Sequence, residues 1–273
     1  MLALVMDNDT QVRLAAFLFV ILLVACWEVL APRRVLSSSK FLRWVNNCSI
    51  SVLNSLLLYL TFPVLAVGIA VVVTEHHWGL FNLLGVPALT SILLFVILFD
   101  LAIYWQHRLY HMVPLLWRLH RMHHSDPDFD VSTGIRFHPL SILLSMLIKM
   151  LVIVSLGPPP AAVLLAEILL NVTTMFNHGN IFLPPKLDSF LRLFVVTPDM
   201  HRVHHSVEQE ETNTNFGFNF PWWDRLFSTY RAQPHAGHEA MEVGVRGFQG
   251  ARAQYLHKLL VQPFLTRVPE QHL

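Results

Sequence analysis

Residues 88–124 read ALTSILLFVILFDLAIYWQHRLYHMVPLLWRLHRMHH. From Ala88 to Trp105 the run is apolar apart from one carboxylate, Asp100, and approaches the length of a bilayer crossing. It then passes directly into His107, His111, His120, His123 and His124. A membrane helix that ends in clustered imidazoles predicts both a fold and a site. Three further apolar regions flank it. Val12 to Ala31 reads as an uncleaved anchor, because acidic Asp7 and Asp9 precede it and no small-x-small cleavage pattern follows cleanly. Ile50 to Val73 carries no charge and is interrupted at Pro63 and Gly68, both tolerated in membrane helices. Leu140 to Phe176 is broken by Gly157–Pro160, where helix propagation stops, and is expected to form a hairpin that crosses and returns. The expected fold is therefore an all-α integral membrane protein with about four transmembrane or hairpin helices and a cytoplasmic helical cap.

Composition excludes the main alternatives. Of 273 residues, 54% are apolar and only 14% charged, against about 25% charged in soluble domains. With 19 basic and 18 acidic side chains, no net basic field exists to attract nucleic acid. Two cysteines, Cys26 and Cys48, make neither a disulfide framework nor a thiolate metal site. Charge also orients the chain. The connection Pro32–Ser49 holds Arg33, Arg34, Lys40 and Arg43 and no acid, whereas Thr74–Pro87 holds only Glu75. The first connection is then cytoplasmic, the second and the N-terminus lie outside, and every histidine cluster falls on the cytoplasmic side. Beyond Leu183 the chain reads as cytoplasmic, with nine basic and nine acidic residues. Its segment Asn215–Tyr230, NFGFNFPWWDRLFSTY, either lies against the headgroups or packs under the histidines.

The sixteen histidines are not scattered. His107 and His111 share a helical face. HRMHHS at 120–125 and HRVHHS at 201–206 repeat one another, so His120, His123 and His124 have counterparts in His201, His204 and His205. Imidazole suits iron, zinc, copper and nickel, and one ion rarely takes more than a few such ligands. Eight clustered histidines, nine with His178, point to two metals. His76, His77, His235, His257 and His272 lack this spacing and read as ordinary side chains. Asp100, seven residues before His107, either receives the second ring proton of a ligand or acts as a capping carboxylate. His138 reads as a tenth ligand or a supporting donor, and Asn180 and Asn215 as weaker candidates. Lys149 and Glu167 are expected to pair across the hairpin.

These motifs resemble the fatty acid hydroxylase / sterol desaturase family of membrane-bound di-iron oxygenases, particularly its bacterial members. HRLYH at 107–111, HRMHH at 120–124 and HRVHH at 201–205 match its three histidine boxes, and RFHP at 136–139, NHGN at 177–180 and the 215–230 segment match its flanking signatures. The similarity covers roughly residues 90–235. It implies iron ligation by His107, His111, His120, His123, His124, His178, His201, His204 and His205. Thr174 stands where some members carry a further histidine, a place His138 would take. It further implies O2-dependent hydroxylation or desaturation of a fatty acyl or sterol-like lipid at two iron ions. Electrons would come from an external reductase, ferredoxin or cytochrome b5-like donor, since no haem or dinucleotide signature is present. Residues 1–87 would be an N-terminal transmembrane region, 88–235 the di-iron domain and 236–273 a cytoplasmic tail. The expected location is a bacterial inner membrane with the centre facing the cytoplasm. Against this stand a di-metal lipid hydrolase or lyase and a membrane metal carrier or sensor. A carrier should hold its ligands at the midplane rather than at the ends of the spans.

Overall fold

The structure, a computed structural model, describes residues 8–265; Asp7, the N-terminus and His272 lie outside the described residues. The main helices are α1 (Asp9–Leu30), α2 (Lys40–Thr61), α3 (Ala66–Glu75), α4 (Ala88–Met112), α5 (Pro114–His124), α6 (Pro139–Leu156), α7 (Pro160–Asn177) and α8 (Pro198–His204). Among the described residues there is no strand, only two isolated bridges, Pro32 with Ile181 and Ser206 with Val243. Five helical stretches, 9–30, 40–83, 88–112, 139–156 and 160–177, are long and apolar enough to cross a membrane. The chain is an all-α integral membrane protein.

The hairpin forms as its sequence predicts. Gly157 ends α6 in the left-handed conformation, φ +70°, and Pro160 opens α7. Glycine is required there twice over, because a Cβ would also stand 2.3 Å from the Trp78 carbonyl oxygen. Lys149 and Glu167 pair at 3.5 Å, and Arg13 of α1 joins the same carboxylate at 2.9 Å. The second apolar stretch differs from expectation. It is two helices rather than one span from Ile50 to Val73. Pro63 holds Phe62 extended (φ −113°, ψ 106°), which ends α2 at Thr61. The start also moves, to Lys40, where the Ser39 hydroxyl accepts from Leu42 N. The buried face of α2 is Arg43, Asn46, Asn47, Ile50 and Asn54, so its first turns belong to the polar cap rather than to the bilayer.

The two ends of the bundle are chemically distinct. At one end Asn82 donates to the Gly157 carbonyl, joining the connection after α3 to the hairpin turn. At the other, Arg33 pairs with Asp199, Asp128 accepts from the backbone N–H of Ser37 and Ser38, and Asn180 binds Arg34 through both its amide atoms. The basic first connection therefore shares an end with the histidine segments, opposite the Thr74–Pro87 connection. Between the ends, Phe95, Phe99 and Ile153 pack against Ala66, Ala70, Ala162 and Ala166, small residues that let the helices approach closely.

A buried ionic knot holds the cap together. Arg43 donates to Asp126 at 2.5 and 2.9 Å and to Asp130 at 2.7 Å, and Asp130 also caps the 3-10 turn Val131–Ile135. Glu28, at the end of α1, accepts from Val131 N and Asn180 N. Each charge is desolvated only because it is paired. Residues 237–265, for which no elements were expected, are tied down as well. Leu259 is fully buried, and Arg118 and Arg121 donate to the carbonyls of Pro263 and Gln262.

Candidate metal centre

The nine predicted histidines meet at one place. α4 carries His107 and His111 on adjacent turns, α5 ends with His120, His123 and His124, and His178 follows α7 as its cap. α8 carries His201 and His204, with His205 as its cap. Their ligating nitrogens form two groups: His107, His111, His120, His124 and His204, and His123, His178, His201 and His205. The duplicated motif is divided in a complementary way. HRMHH gives two residues to the first group and one to the second, and HRVHH does the reverse. The two turns face each other, with the rings of His124 and His205 stacked at 4.4 Å.

Hydrogen bonding on the outer side of the rings fixes what faces inward. The carbonyl oxygens of Phe216, Arg136, Thr174 and Thr214 receive the Nδ1 atoms of His107, His123, His178 and His204 at 2.7–3.2 Å, and Asn213 Oδ1 lies 3.3 Å from His111 Nδ1. An amide oxygen only accepts, so these Nδ1 atoms carry the proton and each Nε2 presents a lone pair. The lone pairs point at one another. Nε2 atoms stand 2.9 Å apart in His107–His204, 3.0 Å in His107–His120 and 3.1 Å in His111–His124. In the second group the separation is 3.2 Å for both His123–His178 and His178–His201, and the buried Nε2 of His205 has no partner at all.

Protonation does not relieve this crowding. Burial first, and neighbouring imidazoles second, hold His120, His123, His124, His201, His204 and His205 well below the ordinary histidine range; burial brings His178 down to about 3. Neutral rings with facing lone pairs repel, and a cation between them removes the repulsion. Two nitrogens each about 2.1 Å from one ion and at right angles would stand about 3.0 Å apart. The donor set, nitrogen throughout, fits a borderline transition metal and not calcium or magnesium.

The other predicted residues lie outside this ring. Asp100 is on the expected face of α4, yet it receives no imidazole proton. Its carboxylate accepts from Asn219 N and Phe220 N at 3.2 Å and from Trp223 Nε1 at 2.8 Å, because the 215–230 segment folds back between it and the histidines. His138 is likewise no neighbour of the nine. Its Nδ1 accepts from Leu140 N as the cap of α6 and its Nε2 bonds the Leu260 carbonyl. Asn180 holds the first connection through Arg34. Asn215 is closer to the centre: its left-handed backbone (φ 52°), tolerable for asparagine, starts the turn that aims the Phe216 carbonyl at His107. His76, His77, His235 and His257 are exposed. Of the two readings of the 215–230 segment, its inner side chains follow the second: Phe216 and Phe218 are buried against His107, while Trp222 is exposed.

Sequence reasoning missed the carbonyls, which carry no side-chain signal, and the acids of the run SDPDFD at 125–130. Asp126 is held near 2 chiefly by Arg43 and Arg136 against its burial, and it steadies Arg136, whose carbonyl orients His123. The acid-rich run directly after a histidine box was the available clue.

Membrane-length helices capped by nine converging imidazoles define a histidine-box membrane protein. The chain belongs to the fatty acid hydroxylase family, whose model matches residues 92–229. It is 30% identical over 180 residues to ornithine lipid hydroxylase OlsE of Rhizobium tropici, covering 65% of this chain and 51% of that protein. It is 27% identical over 163 residues to human alkylglycerol monooxygenase (58% and 34%) and 28% identical over 157 to human lathosterol oxidase (58% and 48%). The chain thus spans about half or less of the length of these relatives. No solved structure matches it.

Proposed function

We propose that this chain is an O2-dependent di-iron oxidoreductase that hydroxylates or desaturates a membrane lipid. The observation that carries the reading is the pair of imidazole groups, five and four nitrogens, converging at one end of the membrane bundle. One iron would be held by His107, His111, His120, His124 and His204, the other by His123, His178, His201 and His205. Reduced iron supplies the O2 activation and C–H oxidation that no side chain can perform. The protein supplies the rest. Carbonyls of Phe216, Arg136, Thr174 and Thr214 fix ring tautomers and orientations, as partners of metal-bound histidines do. Phe129, Phe216 and Phe218 keep water from the rings. Asp100 acts on the centre by holding the turn that bears Phe216, His138 by anchoring the segment after the second box, and Asn180 by tying the segment after His178 to the first connection.

The named relatives hydroxylate or oxidise lipids, which favours an amphipathic lipid substrate here too. The chemistry would reside in residues 88–235, with 1–87 as the N-terminal transmembrane region and 236–273 as a tail. The positive-inside bias of Arg33, Arg34, Lys40 and Arg43 supports a centre on the cytoplasmic side, in a bacterial inner membrane on this reading, where a soluble reductase, ferredoxin or cytochrome b5-like donor would reach it. The test has two parts. Protein reconstituted anaerobically with iron should hold two ions per chain. Lipid extracts of cells with and without the gene should differ by oxygenated or unsaturated products whose formation consumes O2. Product formation without O2 would favour the hydrolase or lyase reading and overturn this one.

A further inference from the structure

The segment between α7 and α8 is built inside out. In Pro185–Leu191 and the turn after it, Asp188 and Arg192 are buried, and of the charged residues only Lys186, in the first turn, is exposed. Asp188 accepts from the Thr197 hydroxyl at 2.6 Å and pairs with Arg192, and Arg192 donates to the Ala232 carbonyl. The large apolar side chains point outward instead: Phe190 is 57% exposed, Phe194 54% and Leu193 47%. A water-facing helix does the opposite. The exposed row continues onto a second segment. Trp222 donates its indole N–H to the Leu193 carbonyl, Arg225 donates to the Arg192 carbonyl, and Leu226 beside them is 66% exposed.

This face is joined to the spans rather than perched above them. Phe220 and Trp223 are bound to Asp100, which lies inside α4 and about 10 Å further from the histidine end than His107. Asn219 is bonded to Thr173 of α7, and Phe220 packs on the same apolar core as the spans. Phe227 sits 4.9 Å from Trp105, which with Leu109 continues the exposed apolar surface along α4. The basic residues at the margin, Arg108 over Trp105 and Arg225 over Tyr230, are arranged as interfacial cations stacked on aromatic rings.

We infer that residues 187–194 and 222–226 form a lip embedded in the histidine-side leaflet of the bilayer, its apolar row covered by acyl chains of the surrounding lipid. Asp188 and Arg192 stay on the protein side, paired with each other and bonded to the Thr197 hydroxyl and the Ala232 carbonyl. An apolar face of this kind left in water would be an association hazard, and its continuity with lipid-facing helices makes the leaflet its cover. The inference concerns position in the membrane and does not depend on which reaction the centre performs.

Spin labels at Phe190→Cys, Phe194→Cys and Leu226→Cys test it, in full-length protein lacking Cys26 and Cys48 and reconstituted in phosphatidylcholine–phosphatidylglycerol vesicles. Collision rates with O2 and with a water-soluble nickel chelate are read against Leu151→Cys on the outer face of α6 and Glu208→Cys on the exposed cap. Labels on the lip should match Leu151, with an O2-to-nickel ratio several-fold above that of Glu208. Ratios equal to Glu208 would overturn the proposal. So would dipolar broadening between labels that vanishes on dilution with unlabelled protein, because the face would then be covered by a second copy. A readout without cysteines uses the Trp222 fluorescence, taken as the difference from Trp222→Phe. Lipids brominated on the upper acyl chain should quench it, and absence of quenching would count against the lip.

Discussion

At the residue scale, the centre depends on rings whose outer nitrogen is fixed by a carbonyl, so that nitrogen lone pairs converge. His123→Ala and His204→Ala each remove one lone pair from a different group. Each is expected to lower iron content and reduce lipid oxidation to background, measured by metal analysis and turnover on one preparation. His257→Ala, at an exposed position outside both groups, should behave as the unaltered protein does. Asp100→Asn probes the positioning of the Phe216 turn. The carboxylate accepts three N–H bonds, and an amide can only accept through one atom, so at least one buried donor loses its partner at about 1–3 kcal/mol. Turnover should fall about 10–100-fold while iron stays bound. Loss of iron in parallel with turnover would show that Asp100 supports the fold instead.

At the element scale, two devices set the helices against one another. Arg43 carries α2 into the cap by its bonds to Asp126 and Asp130, all three side chains essentially without solvent. Arg43→Met strands two buried carboxylates, and a loss of about 3–5 kcal/mol is expected, read as a lowered midpoint of thermal unfolding in detergent. The hairpin turn gives a controlled comparison. Gly157 and Gly85 both have positive φ, +70° and +62°, but a Cβ at 157 meets the Trp78 carbonyl at 2.3 Å whereas one at 85 meets nothing within 4 Å. Gly85→Ala should cost about 1–2 kcal/mol, the left-handed penalty alone. Gly157→Ala should cost clearly more, because the backbone of the neighbouring connection must also move. Equal effects in the same unfolding assay would remove the close approach as a cause.

At the scale of the whole molecule, the bundle has one end where Trp78 meets Gly157 and another where Ser37, Asp128 and the histidines meet. Thiol labelling should therefore find Val35→Cys and Glu208→Cys on the same side of the membrane and Leu84→Cys on the other; all three positions are exposed. Ser125 is unsuitable for such labelling because it is buried under Gln262. Iron removal tests the coupling of centre and fold. Four separate segments contribute imidazoles, so chelation should lower the unfolding midpoint, with readdition restoring it in proportion to occupancy.

Much of this was legible in the residues alone. Apolar length gave most of the spans, Gly157–Pro160 gave the hairpin, and the duplicated HxxHH with the HxxxH pair and His178 gave nine convergent histidines, because periodicity and local breakers act over a few residues and leave a direct trace. The start of α2 at Lys40 was not legible. Arg43 looks like a connection residue until Asp126 and Asp130, more than 80 positions away, arrive to pair with it, as do Asn46 and Asn47 until Leu256 N and the Ser132 hydroxyl reach them. Asp100 shows the same limit. Helical spacing put it on the face of His107, but only the folding back of residues 216–223 decided that backbone and indole N–H groups, not an imidazole, would reach it first. Residue pattern alone specified the long apolar helices, the imidazole side chains and the end of the bundle they share. The tertiary structure decided how the nine rings divide into five and four and which carbonyl holds each tautomer, since those depend on main-chain atoms brought together from distant segments.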